Sequence, residues 1–234
     1  MNAIQLSKIL RDLADPVIAE NSLRFFKTGK GEYGEGDKFL GIRVPVLRKQ
    51  AGKYQDIALE EIQRLLKSSF HEERLCALFL LIHKFTRSDA AEKTAVYRMY
   101  LNNTRYINNW DLVDSSAYSI VGVYLEDKDK QPIYELAGSD SLWERRIAII
   151  STLHFIRKHR FDEALDLSEQ LINDKEDLIH KAVGWMLREI GKRDLNAEEI
   201  FLKTHYRQMP RTMLRYAIEK FPKQKRKQYL KGMV

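Results

Sequence analysis

Along most of the chain, apolar residues recur every three to four positions, and the strict alternation of a half-buried strand is nearly absent. The spacing predicts helices over 2–15, 16–27, 45–53, 57–67, 71–86, 89–102, 109–125, 131–138, 142–159, 161–173, 177–192, 196–206 and 209–220. Pro16, Pro45, Pro132, Pro210 and Pro222 fall at element starts or stops, where a missing N–H costs little. The short connections suit antiparallel helix neighbours. The expectation is an all-α chain.

A repeat lies within the helical pattern. Arg74-Leu-Cys-Ala-Leu, Asp111-Leu-Val-Asp, Arg146-Ile-Ala-Ile, Lys181-Ala-Val-Gly and Arg215-Tyr-Ala-Ile begin 37, 35, 35 and 34 residues apart. That period is one two-helix unit of the HEAT or tetratricopeptide type, and the tetratricopeptide signature is missing. A single such unit cannot bury its apolar face, so the core comes from stacking. The expected architecture is an α-solenoid of HEAT-like helical repeats over 1–234, one domain, curved with a basic concave face for a long ligand.

Composition narrows the class. With 44% hydrophobic and 31% charged residues among 234, the chain can bury a substantial core and is not of disordered composition. No apolar run approaches the roughly 20 residues of a bilayer crossing, and MNAIQLSKILRDLAD lacks a signal-peptide pattern. A cytoplasmic protein without membrane association is expected. Cys76 is the sole cysteine and lies inside LCALFLLI, which predicts a buried structural thiol and excludes an internal disulfide. The six histidines show no ligand spacing, so neither metal nor cofactor is expected.

The net charge of +7 draws +5 from Lys223, Lys225, Arg226, Lys227 and Lys231, in a basic tail over 222–234. Elsewhere the charge alternates. Segment 143–160 is basic through Arg145, Arg146, Arg157, Lys158 and Arg160, segment 161–177 is strongly acidic, and segment 178–193 is basic again. Stacked helix pairs would then expose one basic and one acidic layer. The glycine-rich stretch about 28–37 contains a formal G-x-G-x-x-G at Gly29, Gly31 and Gly34. A dinucleotide fingerprint needs a preceding strand and a helix opening within it. Here a helix precedes it, so a loop or small hairpin is expected instead.

On a helical wheel counted from each repeat anchor, Trp110, Arg146, Lys181, Asp114, Trp185 and Arg188 fall within an arc of roughly 140°. Ile147, Ala148, Ala182, Val183 and Met186 face the other way, although Ile149 and Ile150 intrude on the polar arc. Taken singly, each tryptophan fits a core and each charge a solvated surface. Together on one face, aromatic, acid and base suit nucleic acid.

At these residues the chain resembles the AlkD-type DNA alkylation-repair glycosylases, a HEAT-like repeat family. The matching segments are Phe39-Leu-Gly-Ile-Arg-Val-Pro-Val-Leu-Arg48, Asn109-Trp-Asp-Leu-Val-Asp114, Leu142-Trp-Glu-Arg-Arg-Ile-Ala148 and Lys181-Ala-Val-Gly-Trp-Met-Leu-Arg-Glu189. The resemblance implies that Trp110 and Trp185 are aromatic walls facing a damaged nucleotide, and that Asp114 is the essential carboxylate. It implies a backbone-holding role for Arg146, with Lys181, Arg188 and Arg43 also touching DNA. The implied partner is double-stranded DNA carrying alkylated bases, bound by a monomer without a base-specific pocket.

The implied chemistry is hydrolysis of the N-glycosidic bond of cationic N3- or N7-alkylpurines, without lyase action. Two other readings share the fold. One is a non-catalytic HEAT-repeat protein binding branched or distorted DNA, to which the glycine-rich insertion could contribute. The other is a protein-interaction scaffold, the commonest use of helical solenoids.

Overall fold

The computed structural model describes residues 1–234, which group into two compact units, Met1–Ser116 and Ala117–Val234. The chain is all-α and built of helical repeats; its single extended contact is an isolated bridge between Lys38 and Phe70.

The first unit holds α1 (Ala3–Arg11), α2 (Pro16–Phe25), α3 (Val44–Lys53), α4 (Leu59–Leu66), α5 (His71–Arg87), α6 (Ala90–Leu101) and nearly all of α7 (Trp110–Ala117). Their starts are written locally. Asn2 and Gln5 form a reciprocal capping box on α1, and Asp15 accepts from the Val17 and Ile18 amides with Pro16 in the first turn of α2. The centre of the unit is α5, against which α3, α4 and α6 pack. Every residue of it from His71 to Leu81 is buried. A helix buried on all sides needs apolar residues all round, which Leu75-Cys-Ala-Leu-Phe-Leu-Leu81 supplies. Its charged first turn needs partners instead, and their identity shapes the candidate site.

Cys76 is a buried free thiol, and burial pushes its pKa up to about 12. The expected structural thiol is therefore found. A disulfide-exchange reagent at pH 8 should label it no faster than the protein unfolds; prompt labelling of the native protein would contradict this burial.

The second unit continues from α7 through a π-helical turn (Tyr118–Gly122) to α8 (Gln131–Ala137), α9 (Leu142–Ser151), α10 (Leu153–Ile156), α11 (Asp162–Gln170), α12 (Asp177–Gly191), α13 (Leu195–His205), α14 (Arg211–Ala217) and α15 (Lys223–Lys231). Here α12 is central, packed by α9, α11, α13 and most extensively α14. Gly184 makes that close packing on α14 possible, since a Cβ there would lie 2.4 Å from the Met213 carbonyl oxygen. The repeat anchors Arg74, Asp111, Arg146, Lys181 and Arg215 fall on α5, α7, α9, α12 and α14, the second helix of each successive pair.

Two local expectations change, and the glycine-rich stretch takes the loop form of its two alternatives. The helix expected over 142–159 breaks at Thr152, whose hydroxyl turns back onto the Ile149 carbonyl. Residues 27–38 fold as consecutive turns, with Gly31 and Gly36 at positive φ, and no hairpin forms. The basic tail is largely helical: its α15 is pinned by buried Tyr229, which meets the rings of Tyr206 and Phe221 edge-on. Its apolar residues are too few for periodicity to register, so the docking of one tyrosine decides its state.

Candidate nucleic-acid site

In the first unit the candidate residues converge on α7. Trp110 opens that helix, with its amide bonded to the Asn109 side chain at 2.8 Å, and Asp114 follows one turn later. Leu112, Val113, Ser116 and Ala117 are buried, whereas Trp110, Asp111, Asp114 and Ser115 are half-exposed. The apolar spacing of Asp-Leu-Val-Asp-Ser-Ser-Ala thus turns Trp110 and Asp114 outward together. From behind, the Tyr100 hydroxyl meets Ser116 Oγ at 2.9 Å, and burial with the nearby Asp114 charge raises the phenol pKa.

The Trp110 indole lies on Phe26 (centroids 5.5 Å apart, planes at 24°), and Phe25 meets it edge-on at 5.9 Å. Phe26 in turn stacks on Phe39 and packs against the His71 ring. The indole is therefore backed by an aromatic cluster assembled from α2, the segment before α3, and α5.

The four charged residues at the start of α5 tie these pieces together. His71 places Nδ1 3.0 Å from Asp37 Oδ2 and Nε2 2.8 Å from Asp111 Oδ2. Arg74 bonds the other oxygen of Asp37. Burial opposes ionisation of Asp37, but its bonds to His71 and Arg74 hold its carboxyl below the usual range. The Glu72 carboxylate accepts the backbone N–H groups of Leu40, Gly41 and Ile42 at 2.8, 2.7 and 3.2 Å. Glu73 accepts from Ser7, Arg11 and Ser68. Gly41 has φ of 81°, and a Cβ on it would sit 2.0 Å from the Asp15 carbonyl oxygen, so only glycine fits beneath α2. Arg43 follows directly, exposed at the N-terminus of α3. Glu72 therefore holds the segment that carries Arg43.

Sequence marks Arg74 and Asp111 only as repeat anchors and Leu40–Ile42 only as part of a matched segment, and it singles out none of His71, Glu72, Glu73 or Asp37. One signal is present: His-Glu-Glu-Arg immediately precedes an apolar run long enough for a fully buried helix, so four charges must enter the interior with it.

In the second unit, Lys181, Trp185 and Arg188 are the half-exposed positions of an otherwise buried stretch of α12 over 181–190. They share one face at i, i+4 and i+7. The Trp185 Nε1–H donates to Glu189 Oε1 at 3.2 Å, and Glu189 also accepts from Lys192 and Arg193. Burial works against ionisation of Glu189, but these donors hold its pKa low, so an ionised carboxylate orients the indole. Lys181 pairs with Asp177 at 2.7 Å, one turn back, and Arg188 pairs with Glu219.

Arg146 departs from the solvent-facing stripe. It is buried on α9, and its guanidinium donates to the Leu178 carbonyl in the first turn of α12. Ile147 to Ile150 behind it are all buried, so α9 is covered on more sides than α12 and draws its arginine inward. Ile149 and Ile150 on the polar arc are the sequence trace of that coverage.

The fold is that of a helical-repeat protein, in which α7 exposes an indole and a carboxylate and α12 exposes an indole among cations. The sequence profile of the DNA alkylation repair enzyme family matches residues 6–221, and the chain belongs to that family. A solved structure described as a predicted DNA alkylation repair enzyme from Enterococcus faecalis is similar in fold, with a TM-score of 0.70 at 19% identity over 90% of this chain and 97% of that one. Among curated proteins no match is found.

Proposed function

We propose that the protein is a monofunctional DNA glycosylase that hydrolyses the N-glycosidic bond of cationic N3- or N7-alkylated purines in duplex DNA. The observation that carries this reading is the joint presentation of Trp110 and Asp114 on successive turns of α7, in a member of the DNA alkylation repair enzyme family.

An alkylated purine is already a charged leaving group, so no acid is needed to protonate it. Breaking the bond builds positive charge on the sugar, as in glycoside hydrolysis. The Asp114 carboxylate would oppose that charge and orient water for attack at the anomeric carbon. The indole face of Trp110 would add a π attraction for the cationic sugar, on the order of 0.5–2 kcal/mol. Neutral lesions would gain much less.

Phosphate binding falls to the cations without an acid beside them. Lys181 and Arg188 are paired within their unit, and DNA would have to exchange with Asp177 and Glu219 for them. Residues 203–234 hold ten lysines and arginines against Glu219 alone, a net +9, while the other 202 residues sum to −2. The positive field therefore comes from α14, α15 and their flanks, and exposed Arg43 adds a cation in the first unit. Replacing exposed Lys223, Lys227 and Lys231 by glutamine should flatten the dependence of log affinity on log salt by about 0.9 for each phosphate that is no longer neutralised. Anisotropy titrations across a potassium chloride series measure that slope, and an unchanged slope would remove α15 from the interface.

The function itself is tested by base release from a duplex carrying one N7-methylguanine, at low salt, against the uncatalysed rate. Release above background is the expected result. Tight binding without release from this or an N3-methyladenine duplex would replace the glycosylase with a DNA-structure binder, and absence of salt-dependent binding would point to a protein scaffold.

A further inference from the structure

We propose that His71 is a positioning residue: held as an imidazolium between Asp37 and Asp111, it fixes the first turn of α7 and thereby the placement of Trp110 and Asp114. Its effect on catalysis rests on the glycosylase reading; its protonation and its hold on the helix do not.

Both ring nitrogens lie within hydrogen-bond distance of a carboxylate oxygen, 3.0 Å to Asp37 and 2.8 Å to Asp111. An ionised carboxylate only accepts, and a neutral imidazole carries one N–H. A neutral ring would leave one bare nitrogen against a bare oxygen. Either the ring is doubly protonated or one carboxyl is protonated.

The surroundings decide between these. Arg74 bonds the second oxygen of Asp37 and favours its ionised form. Asp111 sits in the first turn of α7, where the helix dipole favours a negative charge. Both carboxyls therefore face the ring as acceptors, and the proton sits on the ring. The charged groups facing His71 are Asp37 from the segment before Phe39, Asp111 from α7 and, through Asp37, Arg74 on its own helix. Phe26 and Phe39 pack against the ring itself, at 4.9 and 4.7 Å between centroids. Burial penalises the charge, but Asp111 and Asp37 outweigh it and raise the pKa from 6.5 to about 9.

A metal does not explain the cluster, because the two carboxylates lie on opposite nitrogens of one ring and cannot converge on a single ion. The link to α7 is double. Asp111 has its other oxygen buried without a partner, so its charge depends on His71. Phe26 lies between the His71 ring and the Trp110 indole, packed on both. Displacing the start of α7 would break an ion pair and unstack the indole at once.

The stability consequence has a definite sign. Because the folded pKa lies above the ordinary value, the contribution of His71 is complete below about pH 6.5 and is lost as pH rises through about 9.

The test uses the full chain labelled with ¹⁵N-histidine, with the His71 signals assigned by their loss in His71→Gln. Both ring nitrogens should be protonated at pH 7.5 and titrate near pH 9; a neutral tautomer at pH 7.5 overturns the proposal. Amide exchange of residues 112–115 in His71→Gln should be on the order of tenfold faster or more than in wild type, and unchanged exchange also overturns it. If His71→Gln fails to fold, Asp111→Asn replaces it, with the expectation that the His71 midpoint falls well below 9.

Single-turnover base release adds the catalytic arm. Wild type should lose rate as pH rises through about 9, whereas His71→Gln should be slowed about 100-fold with that alkaline limb absent and DNA affinity little changed. Wild-type rate in His71→Gln overturns the positioning role. Absence of release by wild type instead overturns the glycosylase reading, and the ring-nitrogen and exchange results then stand on their own.

Discussion

Replacing Asp114 by asparagine is expected to abolish base release from an N7-methylguanine duplex while leaving DNA binding intact. The substitution keeps shape and removes charge. Asp114 is half-exposed on α7, with Val113 and Ala117 supplying the burial beside it. The proposed chemistry needs the carboxylate, because the neutral amide cannot offset positive charge developing on the sugar. Losing an electrostatic group of this kind costs on the order of 10²–10³ in rate, and more where the same group also orients the water. Binding should be unchanged or slightly tighter, since a negative charge facing phosphates is removed. Single-turnover release and anisotropy on one preparation separate the two effects. Release by Asp114→Asn at the wild-type rate would take the carboxylate out of the mechanism.

The largest stability effect is expected at Glu72. Its carboxylate accepts three consecutive backbone N–H groups in a buried setting, a small anion nest built by the Leu40–Ile42 segment. Glu72→Leu keeps bulk but strands three buried donors, and unsatisfied groups of this kind cost about 1–3 kcal/mol each. Partial relaxation brings the expected loss to about 3–5 kcal/mol, which is a fall in melting temperature on the order of 10 °C or more. Calorimetry measures this, and limited proteolysis should locate early cleavage within residues 37–43. Arg43 rides on that segment, so DNA affinity should also weaken below the melting transition. A variant that melts within 2–3 °C of wild type, roughly 1 kcal/mol at this size, would show that the segment holds itself.

Much of the architecture is written locally. The 3.6-residue spacing locates helix after helix, since an apolar stripe is both the signal and the cause of helix burial. Asn2, Asp15, Asp89 and Asp194 cap their helices through side chains only a few residues away. The repeat is legible for the same reason: each unit solves one packing problem with one pattern, so its anchors return at near-constant intervals on alternate helices. The α12 face is also predictable. Lys181, Trp185 and Arg188 are separated by whole turns, and the residues between them are apolar.

Arg146 is not, although it follows the same spacing. Its exposure depends on how many neighbours cover α9, and a wheel drawn for one helix holds no information about the others. The tail departs in the opposite sense: α15 is anchored by Tyr229 meeting Tyr206 and Phe221, ring pairs that exist only once the chain has folded back.

The sharpest contrast lies in the charges at the start of α5. His71, Glu72, Glu73 and Arg74 read as an ordinary polar helix start, and their sequence neighbours do not include Asp37, Asp111, Ser7, Arg11 or the Leu40–Ile42 amides. These partners lie 30 to 66 positions away. Sequence by itself determined helices, repeat and the outward faces of α7 and α12, because periodic burial is a property of neighbouring residues. Tertiary structure alone decided which charges are buried, which are paired and which remain open to a ligand, because the free energy of a charge depends on everything that surrounds it in space.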